Sequence, residues 1–118
     1  MDISEHAKLI KEQFKASRRI LAAIGDETRQ SIILTLMEME VKGECEGMRV
    51  GEITAKTHLS RPAVSHHLKI LLEAGMIGVT PEGTKNFYWL TLGAQWDAFV
   101  ALVNNIEQLR AFGGNCDC

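Results

Sequence analysis

The apolar positions of this chain recur at helical spacing along most of its length and switch to alternation once. From Ile3 to about Ile24, residues Ile3, Ala7, Ile10, Phe14 and Leu21 predict one amphipathic helix. Lys8, Lys11, Lys15 and Arg18 form a basic stripe beside the apolar one. It reads as a solvated face, with contact to a DNA backbone or an acidic partner as the alternative. Gly25 breaks this helix and Asp26 can cap the next. Thr28 to about Glu40 forms the second helix, with Ile32, Ile33, Leu36 and Met37 turned inward. Arg29 sits in its first turn, against the helix dipole, which suggests a use elsewhere: a phosphate or an internal carboxylate.

Val41 to Gly47 is a polar, glycine-flanked loop. Met48 to Val50 suits a short strand, and Gly51 to Lys56 a short helix anchored by Val50 and Ile53. Thr57, His58 and Leu59 make a tight turn into Ser60 to Leu72. Ser60 can cap that stretch, and Pro62 in its first turn has no amide proton to leave unpaired. At about 100° per residue, Val64, Leu68, Leu71 and Leu72 fall on one side, and Pro62, His66 and Lys69 on the other, flanked by Arg61 and Ser65. Helix, three-residue turn, helix is a helix-turn-helix. Its polar, cationic front suits the major groove of DNA, which offers acceptors on base edges and anionic phosphates along its walls. His58 stands where such turns usually hold glycine, and histidine is among the residues that tolerate a positive φ.

Gly75 ends the recognition helix as a C′ residue. Met76 to Thr80, a turn over Pro81-Glu82-Gly83-Thr84, and the alternating aromatic run Lys85 to Leu90 then predict a β-hairpin. A hairpin directly after a recognition helix is a wing, and Lys85 at its tip can reach the backbone or minor groove of flanking DNA. From Gly93 to about Phe112 a last helix carries a wide band: Trp96, Phe99, Val100, Leu102, Val103, Ile106 and Leu109. One small core does not need so much apolar surface, so the outer part reads as a dimer interface. The fold expected is mainly α with a small β-hairpin: about five helices and a two- or three-stranded wing, one unit over residues 1–112, then a Cys-containing tail at 113–118.

Composition sharpens this picture in one place. Net charge over the 118 residues is −2, which alone argues against a nucleic-acid partner. Ile53 to Leu72, however, holds Lys56, Arg61, Lys69 and three histidines with no Asp or Glu, so the rest of the chain carries −5. Acid has been kept off one segment. No apolar run approaches the roughly 20 residues of a membrane span, the start lacks a secretory h-region, and three cysteines suit a reducing cytoplasm better than a disulfide framework.

Three blocks now resemble the ArsR/SmtB family of winged-helix repressors. They are Leu21 to Leu36 (LAAIGDETRQSIILTL), Leu59 to Gly75 (LSRPAVSHHLKILLEAG), which is the most specific, and the wing Gly83 to Leu90. The resemblance spans about residues 15–110. It implies a homodimer joined by the first and last helices, binding double-stranded DNA with two-fold symmetry. It places base and phosphate contacts at Arg61, Pro62, Ser65 and His66; Lys69 and Lys85 complete the expected DNA-binding set. Arg61 is the candidate for a bidentate guanine contact, and His67, turned sideways on the wheel, reads as structural.

The family's metal sensors carry a Cys-x-Cys pair where this chain has Arg49 and Gly51. A second family site needs Asp-x-His, and here Asp97 is followed by Phe99, with no histidine on the last helix. The resemblance to the metal sensors fails at both sites, and no cofactor or inducer is implied. Cys45, Cys116 and Cys118 leave a thiol-based metal, metalloid or redox sensor as an alternative. A winged helix used only for protein–protein contact is another. An enzyme is not expected: His66 and His67 point about 100° apart, and GxGxxG, P-loop and HExxH patterns are missing.

Overall fold

The computed structural model describes residues 2–41, 43 and 47–112. The order is α1 (Ile3–Ala16), α2 (Arg18–Ile24), α3 (Glu27–Val41), α4 (Val50–Thr57), α5 (Arg61–Glu73), β1 (Ile77–Glu82), β2 (Lys85–Leu90) and α6 (Ala94–Phe112). The core gathers the inner faces of α2 to α5 and the base of the hairpin. Ile20, Ile32, Leu36, Ile53, Val64, Leu68 and Leu71 are essentially sealed from solvent within it. Trp96 and Phe99 fasten the start of α6 to this core, their rings 5.6 Å apart.

The rest of α6 lies along α1, outside the core. The pair is tied by polar bonds: the buried His6 ring donates from Nε2 to the Asn105 carbonyl at 2.7 Å, and Asn105 Nδ2 donates to Gln13 Oε1 at 2.9 Å. The chain is elongated, 54 × 26 × 26 Å, with a radius of gyration of 17.6 Å. About 13.5 Å is ordinary for a compact chain of this length.

Four expectations need correction. The first helix is two, and the described residues form six helices. At Ser17 the backbone leaves the helical region (φ −100°, ψ 5°), and its N–H is shared between the Gln13 and Phe14 carbonyls. The break re-aims the chain: Ile10 is the buried member of the predicted stripe, Ile3, Ala7 and Phe14 stay exposed, and α2 buries Ile20 and Ala23 while Leu21 is half-buried. On α3, Met37 points outward and Met39 inward, because the buried row Ile32, Leu36, Met39 follows the side that meets α4, α5 and the hairpin.

The strand expected at Met48–Val50 is a single bridge. Met48 exchanges 2.8 Å hydrogen bonds with Tyr88 in both directions, and α4 already starts at Val50. The wing turn is also tighter than the four-residue one expected. Pro81 is still in β1, opposite Asn86, and only Gly83 and Thr84 connect Glu82 to Lys85. Pro81 fits there because both strands of a two-stranded sheet are edges. Gly83 takes φ +65°, the positive value that the first residue of such a connection favours.

Candidate nucleic-acid interface

The helix-turn-helix is set by its two ends. The Thr54 carbonyl accepts from the His58 N–H at 3.0 Å, and His58 closes α4 in the left-handed region at φ 58°, ψ 25°. Ser60 begins α5 from extended backbone, and its Oγ accepts from the Ala63 N–H at 3.3 Å. Pro62 occupies the first turn. At the far end the Met76 N–H reaches the Leu71 carbonyl (3.1 Å) and the Gly75 N–H the Leu72 carbonyl (3.0 Å), a Schellman motif with Gly75 at φ +71°. A Cβ at Gly75 would stand 2.5 Å from the terminal amide of the exposed Gln95 side chain, which can swing aside, so the positive φ is what favours glycine here.

Between those ends the two faces of α5 separate cleanly. Val64, Leu68 and Leu71 are buried and Leu72 is half-buried. Arg61, Pro62, Ser65, His66 and Lys69 are all exposed, so the structure collects five of the six proposed DNA-binding residues on one face of one helix. The sixth, Lys85, is exposed at the start of β2, opposite Glu82. The wing that carries it is braced. Trp89 lies over Gly78, its register partner, so closely that a Cβ there would meet the ring at 2.8 Å, and its Nε1 donates to Thr80 Oγ1 at 2.9 Å.

Arg29 has an internal use. Its Nε and Nη2 donate to the Ala23 and Ala22 carbonyls at 3.0 and 2.9 Å, at the C-terminal end of α2. Its Nη1 lies 3.3 Å from Nδ1 of the half-buried His67 and 4.0 Å from Asp26 Oδ2. One guanidinium thus links α2, α3 and the recognition helix, and His67 accepts from it through Nδ1. Asp26 is the cap of α3: the Arg29 backbone N–H donates to its Oδ2 at 2.9 Å. That bond holds the Asp26 carboxyl below its ordinary range. The Arg29 and His67 charges pull the same way and partial desolvation opposes them.

A cleft of about 630 Å³ opens between the N-terminus of α4, the N-terminus of α5 and the wing tip. Arg61 and Lys85 both line it, and so does Arg49, which in the sequence stood out only as the residue in place of a metal ligand. No local sequence signal marks it, because the Met48–Tyr88 bridge that carries the next residue against the wing joins segments far apart in the chain.

Among the described residues no three of His, Cys, Asp or Glu come together as a metal site. Cys45, Cys116 and Cys118 lie outside the described residues. No described helix is long and apolar enough to cross a membrane.

The family model for bacterial regulatory proteins of the arsR family matches residues 26–78, from the cap of α3 into β1. An uncharacterized HTH-type transcriptional regulator of Methanocaldococcus jannaschii is 35% identical over 79 residues, 67% of this chain and 82% of that one. The transcriptional repressor SdpR of Bacillus subtilis is 32% identical over 89 residues, 75% of this chain and 91% of that one. The fold is shared with the homodimeric winged helix-turn-helix DNA-binding domain of a Mycobacterium bovis protein. That structure is 19% identical, with a TM-score of 0.58, covering 94% of this chain and 93% of that one. With a helix-turn-helix, a wing and two relatives above 30% identity, the chain belongs to the arsR family of winged helix-turn-helix, DNA-binding transcriptional regulators.

Proposed function

We propose that this regulator acts as a homodimeric repressor of an operator with two-fold symmetry. The observation that carries the reading is the division of α5, with its aliphatic back sealed and Arg61, Pro62, Ser65, His66 and Lys69 presented together to solvent. The helix enters the major groove with Arg61 forked onto a guanine, worth about 1–3 kcal/mol of discrimination against other bases. Ser65, His66 and Lys69 share base edges and phosphates, and Lys85 holds the flanking backbone or minor groove.

Support for the dimer comes from the α1–α6 pair, where Ile3, Phe14, Val100, Val103 and Ile106 are 39–59% exposed on helices that contribute little to the core. A second copy would cover such a face, and the M. bovis domain is homodimeric. Two recognition helices would then meet half-sites about 34 Å apart. Repression is the role of the B. subtilis relative.

Selection of preferred DNA from a random pool, followed by fluorescence anisotropy, tests the reading. A symmetric sequence should emerge, and Arg61→Ala and His66→Ala should weaken it. Recovery of no preferred sequence, with both variants binding like the parent, would refute the DNA assignment.

A further inference from the structure

The cleft between α4, α5 and the wing has an unusual charge pattern. Three cations reach it from three separate elements: Arg49 before α4, Arg61 at the start of α5 and Lys85 at the start of β2. One carboxylate, Glu52, lines it too. Its Oε1 lies 3.7 Å from Arg49 Nε and accepts from the Arg49 backbone N–H at 3.3 Å. Both side chains are about half exposed (45% and 50%), so the pair is held loosely and in water. Asn86 supplies a neutral amide on the wing side. Three like charges gathered around one concavity repel one another, and a single exposed carboxylate offsets only part of that. An anion with several acceptor oxygens would relieve it.

The position of the cleft says which anion. Arg61 belongs at once to the exposed front of α5 and to the cleft wall, so the cleft continues the front past its N-terminal end. A duplex with α5 in its major groove has a sugar-phosphate strand at that end. The opposite wall is the wing tip, and farther along β2, at Tyr88, the wing is tied to the segment before α4 by the bridge to Met48. We propose that this cleft is a phosphate seat for the DNA backbone, in which Arg49 is a DNA-binding residue and Glu52 a counter-charge that weakens the grip. The proposal rests on the DNA-binding reading above. Arg49 exchanges its loose pairing with Glu52 for a charge-assisted bond to a phosphate oxygen, and Arg61 and Lys85 close on the same strand. The contact carries no base information. It raises affinity for every sequence alike, and Glu52 keeps that non-specific part in check.

The test is the salt dependence of binding to the selected operator, measured by anisotropy between 50 and 200 mM salt on the full chain. Removing one phosphate-binding cation lowers the slope of log K against log salt by about 0.9. Arg49→Ala should therefore reduce the salt sensitivity of the affinity over that range by about 3.5-fold per cleft. Base preference should stay unchanged, and Arg49→Lys should keep most of the parental slope. Glu52→Gln retains an acceptor for the α4 cap and should tighten binding to operator and random DNA alike, with a smaller gain when Arg49 is already alanine.

If Arg61→Ala lowers the affinity while Arg49→Ala keeps the parental slope, the phosphate seat is refuted and the DNA reading stands. If neither variant changes binding, both fall. A change of base preference in Arg49→Ala would refute the phosphate assignment, because Arg49 would then be reading a base. Inorganic phosphate titrated into the free protein at fixed ionic strength, followed by the Gly51 and Asn86 amide signals, separates the two sources of phosphate. No saturable shift is expected. Tight, saturable binding that displaces DNA would overturn the backbone assignment in favour of a small anionic effector. Thermal melts of each variant confirm that the compared proteins are folded.

Discussion

Replacing Arg29 by alanine should destabilise the protein by about 2–4 kcal/mol. The side chain, 14% exposed, donates to the Ala22 and Ala23 carbonyls at 2.9 and 3.0 Å and to His67 at 3.3 Å. A hydrogen bond from a charged donor contributes about 1.5–3 kcal/mol net when well buried. Here the carbonyls lie at a helix end that water can re-enter once the guanidinium is gone, so about 1 kcal/mol per bond is the better figure. Three bonds and the packing of the aliphatic stem give the range stated. Lysine keeps the charge but reaches only one acceptor at a time, so Arg29→Lys should recover about half of the loss.

Urea unfolding followed by circular dichroism measures this. Protein concentration must be held fixed, because an associating chain gains stability by mass action. In thermal melts each kcal/mol should appear as about 4 °C. Because His67 shares the clamp, Arg29→Ala and His67→Ala should cost less together than separately. An Arg29→Ala midpoint within about 0.5 kcal/mol of the parent would refute the clamp as a stabilising unit. Arg29→Lys equal to the parent would show that the charge, and not the fork, is what matters.

The Asp26 carboxyl should titrate below its ordinary range in the folded protein, chiefly because the Arg29 N–H donates to it. Folded value below unfolded means that the stabilisation is complete above about pH 4 and is lost as pH falls through the folded pKa; Asp26→Asn should flatten that acid limb, as carboxyl chemical shifts and unfolding at pH 3–6 would show. Leu68, 1% exposed at the back of the recognition helix, should cost about 2–5 kcal/mol when cut to alanine, read from urea midpoints. Val103→Asp with Ile106→Asp places two carboxylates on the exposed α6 face, 48% and 39% open in the protomer, and light scattering should then find only the 13.1 kDa protomer. A persistent dimer would place the interface elsewhere.

The recognition helix could be read from the chain because every signal that defines it is local. The Ser60 cap bonds three residues on, the Val64–Leu68–Leu71 row repeats within its own turns, and Gly75 closes a motif that spans six residues. Alternation likewise marked the wing as a hairpin, but not its two-residue connection, since Pro81 and Glu82 look like turn residues and yet pair within β1. Even the positive φ of His58 follows from the tightness of the turn it occupies. Met37 and Met39 mark where locality stops. Both sit on an apolar helix, and which of them faces inward depends on where α4, α5 and the hairpin lie.

By itself, then, the sequence determined the helix-turn-helix, its cationic front and the wing, since periodicity, caps and turn residues act over a few positions. Only the tertiary structure decided where Arg29 and Arg49 sit and which groups surround them. Arg29 meets His67 across 38 residues, and Arg49, next to the Met48–Tyr88 bridge, lines one cleft with Arg61 and Lys85. It also showed that the helix expected from Ile3 to Ile24 breaks at Ser17, leaving α1 beside α6 with an apolar face toward solvent. Such contacts join segments far apart along the chain. No short-range pattern records them, because they follow from how already formed elements pack and which side chains that packing brings within a few ångströms.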